Sequence, residues 1–154
     1  MPVTYAIDAQ ERVIRTRCIG MVTLAEVVGH FLELERDPDC VGRLDVLLDL
    51  SETNSLPRTQ DLQAIPNELA RIREKIRFEA CAVVASTDAL FGMLRIFGVL
   101  AERYFRVIHV FRSRAEAETW LVPQRQRASE VSPATSRRAS PIGPGSRDGN
   151  AGQG

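Results

Sequence analysis

The sequence predicts an α/β domain with a mixed, mainly parallel sheet of five strands and about four helices. Between residues 44 and 121, three short apolar runs alternate with three segments of helical periodicity. Such an alternation requires crossover connections, which make neighbouring strands parallel. Two extended runs before residue 20 add an antiparallel edge. The 154 residues, 44% of them hydrophobic, fit one globular domain of ordinary size.

The first two strands are predicted at residues 3–8 and 12–19, as an edge hairpin joined by a polar turn. Thr23 and Glu26 then have the spacing of a capping box, in which a hydroxyl and a carboxylate satisfy the first free amides of a helix. A helix is therefore expected from residue 24 to about residue 36, with apolar side chains at helical spacing.

The central strand is expected at residues 44–50, because this run is mostly apolar, as in strands covered on both faces by helices. A polar segment rich in turn formers follows at residues 51–59 and leads into a helix at about residues 60–75. Pro66 is expected either to kink that helix or to mark its true first turn.

The remainder of the domain repeats the pattern of strand and helix. Two further apolar runs predict buried strands, and residues 86–88 supply hydroxyl or carboxylate caps for the helix between them. Ser113 and Glu116 form another capping box, which opens a short last helix closing at residue 121. The strands are expected at residues 80–85 and 107–111, and the longer helix at about residues 89–104.

Residues 122–154 are rich in Gly, Pro, Ser and Arg and contain no aromatic residue. We expect a disordered basic tail there, attached to a domain that spans residues 1–121. The 20 basic and 20 acidic side chains balance overall, but the tail carries a net charge of +3 and the domain one of −3. Specific nucleic-acid binding by the domain is therefore not expected.

Other classes of protein are excluded by simple patterns. The N-terminus has no basic segment followed by an apolar run, and no 18-residue apolar stretch occurs. Cys18, Cys40 and Cys81 are far apart without a C-x-x-C pair, which favours neither a disulfide framework nor a zinc site. The sequence predicts a cytoplasmic protein without a membrane span, a metal or a cofactor.

The residues that could carry catalysis are few. His30 and His109 are predicted to be surface and packing residues, and no nucleophile elbow, Walker A loop or zinc-protease motif occurs. Asp45 and Asp49 share a strand face. Asp49 lies at the strand's carboxyl end, where ligands of open α/β sheets collect, or it caps the following turn. We therefore expect no enzymatic activity.

The helix at residues 89–104 carries more apolar surface than packing on a sheet requires. Gly92 and Gly98 in its interior are compatible with the close approach of another backbone or of an apolar ligand. The additional surface either is enclosed by neighbouring elements or contacts a partner or ligand. The additional apolar side chains are Phe91, Ile96 and Val99, and the candidate partner or ligand surface comprises Phe91, Arg95 and Val99.

Four segments carry a resemblance to a known family: VLLDLS at 46–51, AVVAS at 82–86, FGMLRIF at 91–97 and VFRSRAEAETWL at 110–121. In these segments, and in the order of its elements over residues 3–121, the chain resembles the SpoIIAA-like family of bacterial STAS-related proteins. The resemblance implies the STAS fold of anti-anti-sigma factors and a regulatory or interaction module. Some relatives are close in structure to lipid-binding CRAL-TRIO domains.

In anti-anti-sigma factors a phosphorylatable Ser lies in an Asp-Ser-Ser-Gly motif after the third strand. The corresponding region here, residues 49–59, has no such motif. Ser51, Ser55 and Thr59 are the candidate residues for phosphorylation or for a partner-binding loop. Ser55 and Thr59 lie near a predicted helix N-terminus, which favours phosphate.

The leading hypothesis is a non-enzymatic STAS-like regulatory module that binds a protein partner through residues 51–59 and the exposed side of helix 89–104. The alternative is binding of a small apolar ligand or lipid beside that helix. An enzyme that uses Asp49 with His30 or His109 is a third hypothesis, and self-association into a homodimer is a fourth.

Overall fold

A computed structural model describes residues 2–124 of the chain. These residues form one five-stranded sheet with the strand order β1-β2-β3-β4-β5. The strands β1 and β2 are antiparallel, and every later pair is parallel. The predicted α/β class, with a mixed and mainly parallel sheet, is confirmed. The elements are β1 (Val3–Asp8), β2 (Val13–Gly20), α1 (Leu24–Arg36), β3 (Gly42–Thr53), α2 (Thr59–Ile72), β4 (Ile76–Val84), α3 (Asp88–Ala101), a 3₁₀ turn (Glu102–Tyr104), β5 (Val107–Phe111) and α4 (114–124).

The sheet separates two apolar layers. Helices α1, α2 and α3 each connect two adjacent parallel strands, and their buried side chains form one layer with the sheet. Helix α4 packs on the opposite face, where Ala117 and Leu121 are completely buried. Side chains alternate along β3, so that Leu48 faces the three-helix layer and Leu47 faces α4.

The predicted caps begin three of the helices. At α1 the Thr23 hydroxyl accepts a hydrogen bond from the Glu26 amide, and the Glu26 carboxylate accepts one from the Thr23 amide. The Thr87 hydroxyl caps α3 in the same way at 3.2 Å. At α4 the Ser113 hydroxyl accepts from the Glu116 amide at 3.2 Å. Capping chemistry therefore located these helix starts correctly.

Three strands differ from the prediction. β4 (Ile76–Val84) begins four residues before the expected residue 80 and ends one residue before the expected residue 85. β3 is longer than the expected residues 44–50, because its C-terminal part continues to pair with β2 as far as Thr53. The connection to α2 is consequently short, and residues 51–59 are not one loop. β2 begins one residue later than predicted, since Arg12 has a left-handed backbone with φ of 59° and belongs to the turn.

The helix boundaries also differ in places. α2 ends at Ile72 rather than near residue 75, and Pro66 lies inside the helix, so that the alternative of a first turn at Pro66 is wrong. α3 ends at Ala101, after which the chain tightens into the 3₁₀ turn. No helix among residues 2–124 is long and apolar enough to cross a membrane.

The last helix ends later than the predicted residue 121. The last helix continues to residue 124, where the Gln124 side chain is 7% exposed. The Gln124 carbonyl accepts a hydrogen bond of 3.3 Å from the Arg106 guanidinium, which joins this end of α4 to the start of β5. The rest of the predicted tail, residues 125–154, lies outside the described residues.

Candidate functional site

An apolar cavity of about 170 Å³ lies between the sheet and helices α1, α2 and α3. Protein interiors are normally close-packed, with few voids larger than a water molecule. An engineered apolar cavity of roughly 150 Å³ in another protein binds benzene. The cavity therefore has room for a ring-sized apolar group. Its aromatic lining comprises Phe31, Phe78, Phe97 and Phe105.

The central strand shows the effect of this cavity on burial. Val46, Leu48 and Leu50 line the cavity and are only half-buried, although β3 lies in the middle of the sheet beneath the helices. The next side chain on the other face, Leu47, is 1% exposed. The three helices thus cover this face of β3 without filling the space above it.

The cavity reaches the surface at the carboxyl ends of β2 and β3. The loops that follow these strands are tied together, since the Asn54 amide donates to the Gly20 carbonyl at 3.0 Å and the Val22 amide donates to the Ser55 hydroxyl at 3.2 Å. Thr23 follows the first of these loops, lines the cavity and is exposed to solvent. Ligands of open α/β sheets collect at this end of the strands.

One buried polar pair interrupts the apolar lining. The Thr16 hydroxyl on β2 lies 3.2 Å from Nε2 of His30 on α1, and both side chains line the cavity. Burial lowers the pKa of His30 to about 4, so the imidazole is neutral near pH 7. The Tyr5 ring supports the imidazole edge-on at 5.3 Å between ring centroids. The pair is therefore uncharged and held in place.

The other titratable side chains of the lining are mostly uncharged as well. Burial raises the pKa of the Cys18 and Cys81 thiols to about 12, so that both stay protonated. Among the described residues that line the cavity, Asp61 is the one carboxylate, and it is paired with Arg58 at 3.2 Å. The interior therefore favours a neutral ligand.

The three predicted loop residues are not brought together. Ser51 belongs to β3, and its hydroxyl donates to Asp49 at 2.6 Å. Ser55 lies in the short connection, where its hydroxyl accepts the Val22 amide. Thr59 is the exposed first residue of α2. Of the three, only Ser55 lines the cavity.

Asp49 has the role of a cap. Its carboxylate is 6% exposed and accepts hydrogen bonds from the amide and the hydroxyl of Ser51. It lies on the α4 face of β3, whereas His30 lines the cavity on the other face. His109 is exposed and contacts the Trp120 ring. Within residues 2–124 no hydrogen bond joins Asp49 to either histidine, so the catalytic pairs considered for it are not assembled.

Helix α3 meets the cavity with its buried face, through Leu90, Leu94 and Phe97. The predicted surface of Phe91, Arg95 and Val99 lies elsewhere, along a groove between α3 and β5.

The glycines of α3 make no close approach. A Cβ at Gly92 would meet nothing within 4 Å, and one at Gly98 would meet Ile108 at an ordinary 3.9 Å. Within residues 2–124 no other backbone therefore approaches these two positions closely, and the approach of an apolar ligand stays a prediction.

The Thr16–His30 pair was not predicted from the sequence. Its signal was a hydroxyl at an inward position of β2, between Ile14 and Cys18, together with a histidine at the border of an apolar helix face. Within residues 2–124 no group of three or more His, Cys, Asp or Glu side chains is placed to hold a metal ion.

Comparisons with protein-family models, with curated proteins and with solved structures found no match to this chain. The resemblance to the SpoIIAA-like family therefore stays a prediction.

Proposed function

We propose that this chain is a non-enzymatic regulatory module of STAS-like architecture that binds a small apolar ligand in its core cavity. The observation that carries the proposal is the 170 Å³ cavity beneath three helices. A ligand there would cover the half-buried side chains of β3, and burial of apolar area contributes about 25 cal/mol per Å². It would also restore the dispersion contacts that a void lacks.

The chemistry of the lining also supports binding over catalysis. The Thr16–His30 pair is bonded to itself, the thiols are protonated, and Asp61 is paired with Arg58. A neutral interior with one polar pair is typical of sites that recognise small ligands by shape and a few polar contacts.

The test is a methyl NMR titration of the full chain with benzene. We expect saturable shifts at Leu48 and Leu94, which line the cavity. Leu48→Phe should fill part of the space and weaken binding at least tenfold. The matched control is Ile96→Phe on the exposed side of α3, which is 44% exposed and should leave binding unchanged.

Absence of saturable shifts in the wild type would overturn the proposal, as would unchanged benzene binding by a folded Leu48→Phe variant. If that variant does not fold, Val46→Leu adds a smaller group to the same cavity wall and should still weaken binding. Native mass spectrometry of freshly purified protein then provides the mass of any ligand carried through purification.

A second candidate function, binding of a protein partner, is favoured by the outer side of α3. Val99 is 67% exposed and Ile96 is 44% exposed. Beside them the Arg112 guanidinium covers the Phe91 ring at 4.4 Å. Apolar side chains grouped at a surface are typical of interaction sites.

The test of partner binding compares pull-downs by the wild type and by Phe91→Asp. The matched control is Leu32→Asp, at an exposed apolar side chain of α1. A partner lost only with Phe91→Asp supports this surface, and identical protein lists from all three count against it. Sedimentation of the same proteins tests whether the partner is a second copy of the chain.

A further inference from the structure

The size and lining of the cavity favour a single aromatic ring. The cavity volume of about 170 Å³ is close to that of an engineered cavity in another protein, roughly 150 Å³, which binds benzene. Four phenylalanines from four different parts of the fold line it, and Phe78 and Phe105 are stacked with centroids 5.2 Å apart. Aromatic groups pack well against such rings in offset or edge-to-face arrangements.

The polar pair in the wall has hydrogen-bonding capacity left. A threonine hydroxyl offers one donor and two acceptor sites, and its contact with His30 uses one of them. Thr16 is 3% exposed, and this contact is its only side-chain hydrogen bond within residues 2–124. Since buried polar groups are normally satisfied, a ligand hydroxyl at this point would gain a partner.

The same wall disfavours a charged ligand. His30 is neutral near pH 7 because burial lowers its pKa to about 4, so it offers no counter-ion to a carboxylate. Asp61 at the edge of the cavity would add repulsion toward an anion. A cation inside would meet apolar side chains, neutral thiols and the neutral Thr16–His30 pair, while the Asp61 carboxylate at the edge is already paired with Arg58.

We propose that the cavity selects an uncharged, ring-sized aromatic molecule with one hydroxyl, a phenol-class compound, whose hydroxyl bonds to the Thr16–His30 pair. The inference rests on the proposed ligand-binding function and names the chemical class of its ligand. The ring lies against the phenylalanines, and the hydroxyl replaces its water partners with Thr16 or His30.

The test measures dissociation constants of benzene, phenol and benzoate for the full chain near pH 7 by calorimetry. Phenol should bind about fivefold more tightly than benzene, as expected for one net hydrogen bond. Benzoate should show no binding. In a cavity without a polar partner the order of phenol and benzene reverses, because the hydroxyl loses water and gains nothing.

Thr16→Val removes the hydroxyl and nearly keeps the side-chain shape. Because His30 could still bond to the ligand hydroxyl, Thr16→Val is combined with His30→Phe. Phenol should lose its advantage in this double variant, while benzene binding is retained. The matched control is Thr53→Val, the same change at another threonine of the lining, whose hydroxyl donates to the Cys18 carbonyl at 3.3 Å. Here the preference for phenol should persist. If the double variant does not fold, Thr16→Ala with His30→Leu removes the same two polar groups with other apolar side chains and should have the same effect.

The outcomes separate the two proposals. If neither benzene nor phenol binds the wild type, the cavity function itself is overturned. If benzene binds but phenol binds no better, or if the variant without both Thr16 and His30 keeps the preference for phenol, the ligand class is overturned and the cavity function stands.

Discussion

The two faces of the central strand are packed in opposite ways. On the side of the three helices, Val46, Leu48 and Leu50 are half-buried around the cavity. On the side of the single helix α4, Leu47 is 1% exposed. One helix therefore seals its face better than three helices seal theirs. The cavity is a local feature of one layer, and the fold as a whole is not loosely packed.

The reason for the tight face is visible in the residues that meet α4. On this side of the sheet, β4 presents Ala80 and Ala82, both of which are fully buried. Their small side chains allow the backbone of α4 to approach the sheet. Two hydrogen bonds of 3.0 Å from Arg15 on β2 to Glu118 then fix the helix to the sheet.

Helices α1 and α2 are joined by charged side chains at the end where both helices terminate. Arg71 near the end of α2 pairs with Glu35 near the end of α1. The Lys75 ammonium donates to the Asp37 carbonyl at 2.9 Å, which adds a second link at the same end. At the opposite end, α1 and α2 begin beside the loops where the cavity reaches solvent. The cavity thus has a closed end and an open end.

The largest expected effect is a difference in stability between alanine substitutions on the two faces of β3. Leu47→Ala should cost about 2–5 kcal/mol of unfolding free energy, as for other fully buried leucines. Leu48→Ala, one residue further along β3, should cost less than about 2 kcal/mol, because its side chain already borders a void. Urea unfolding of both variants measures the difference. Equal costs would contradict the contrast between the faces.

Much of this contrast could not be predicted from the sequence. Periodicity and capping residues located most elements, as the hydroxyls of Thr23 and Thr87 show, because these signals are local. The apolar run of β3 also predicted a central strand correctly. Whether Leu48 is packed or borders a cavity depends on how far three separate helices stand from the sheet, which no local pattern encodes. The pairing of Thr16 with His30 is set by the same placement.

The unfolding free energy should depend on pH through His30, which lines the cavity on the side of α1, α2 and α3. The folded pKa of His30 is about 4, below the ordinary value of 6.5, so the unfolded chain binds the proton more readily. Stability should therefore fall as the pH drops from 6.5 toward 4, by at most about 3 kcal/mol. His30→Phe should lose less stability over this range in urea unfolding. A variant with the same pH dependence as the wild type would contradict the assignment.

The smallest expected effect lies on the α4 face. The hydrogen bonds from Arg15 lower the pKa of Glu118 below its ordinary 4.5, so this pair stabilises the fold above that pH and loses its contribution as the pH falls further. Both side chains are about one-third exposed, at 27% and 34%, and solvent screening should keep the pair below about 1 kcal/mol. Glu118→Gln should thus show a small loss near pH 7 that disappears at pH values well below 4.5.

The two titrations then occur in different pH ranges, and acid should weaken the cavity face before the α4 face. His30 and Glu118 lie on opposite sides of the sheet, and their hydrogen bonds within residues 2–124 share no partner. The changes in unfolding free energy caused by His30→Phe and Glu118→Gln should therefore add in the double variant to within about 0.5 kcal/mol. A larger deviation would mean that the packing of α4 depends on the state of the cavity. In that case the two faces form one coupled unit, and occupancy of the cavity would alter how firmly α4 is held.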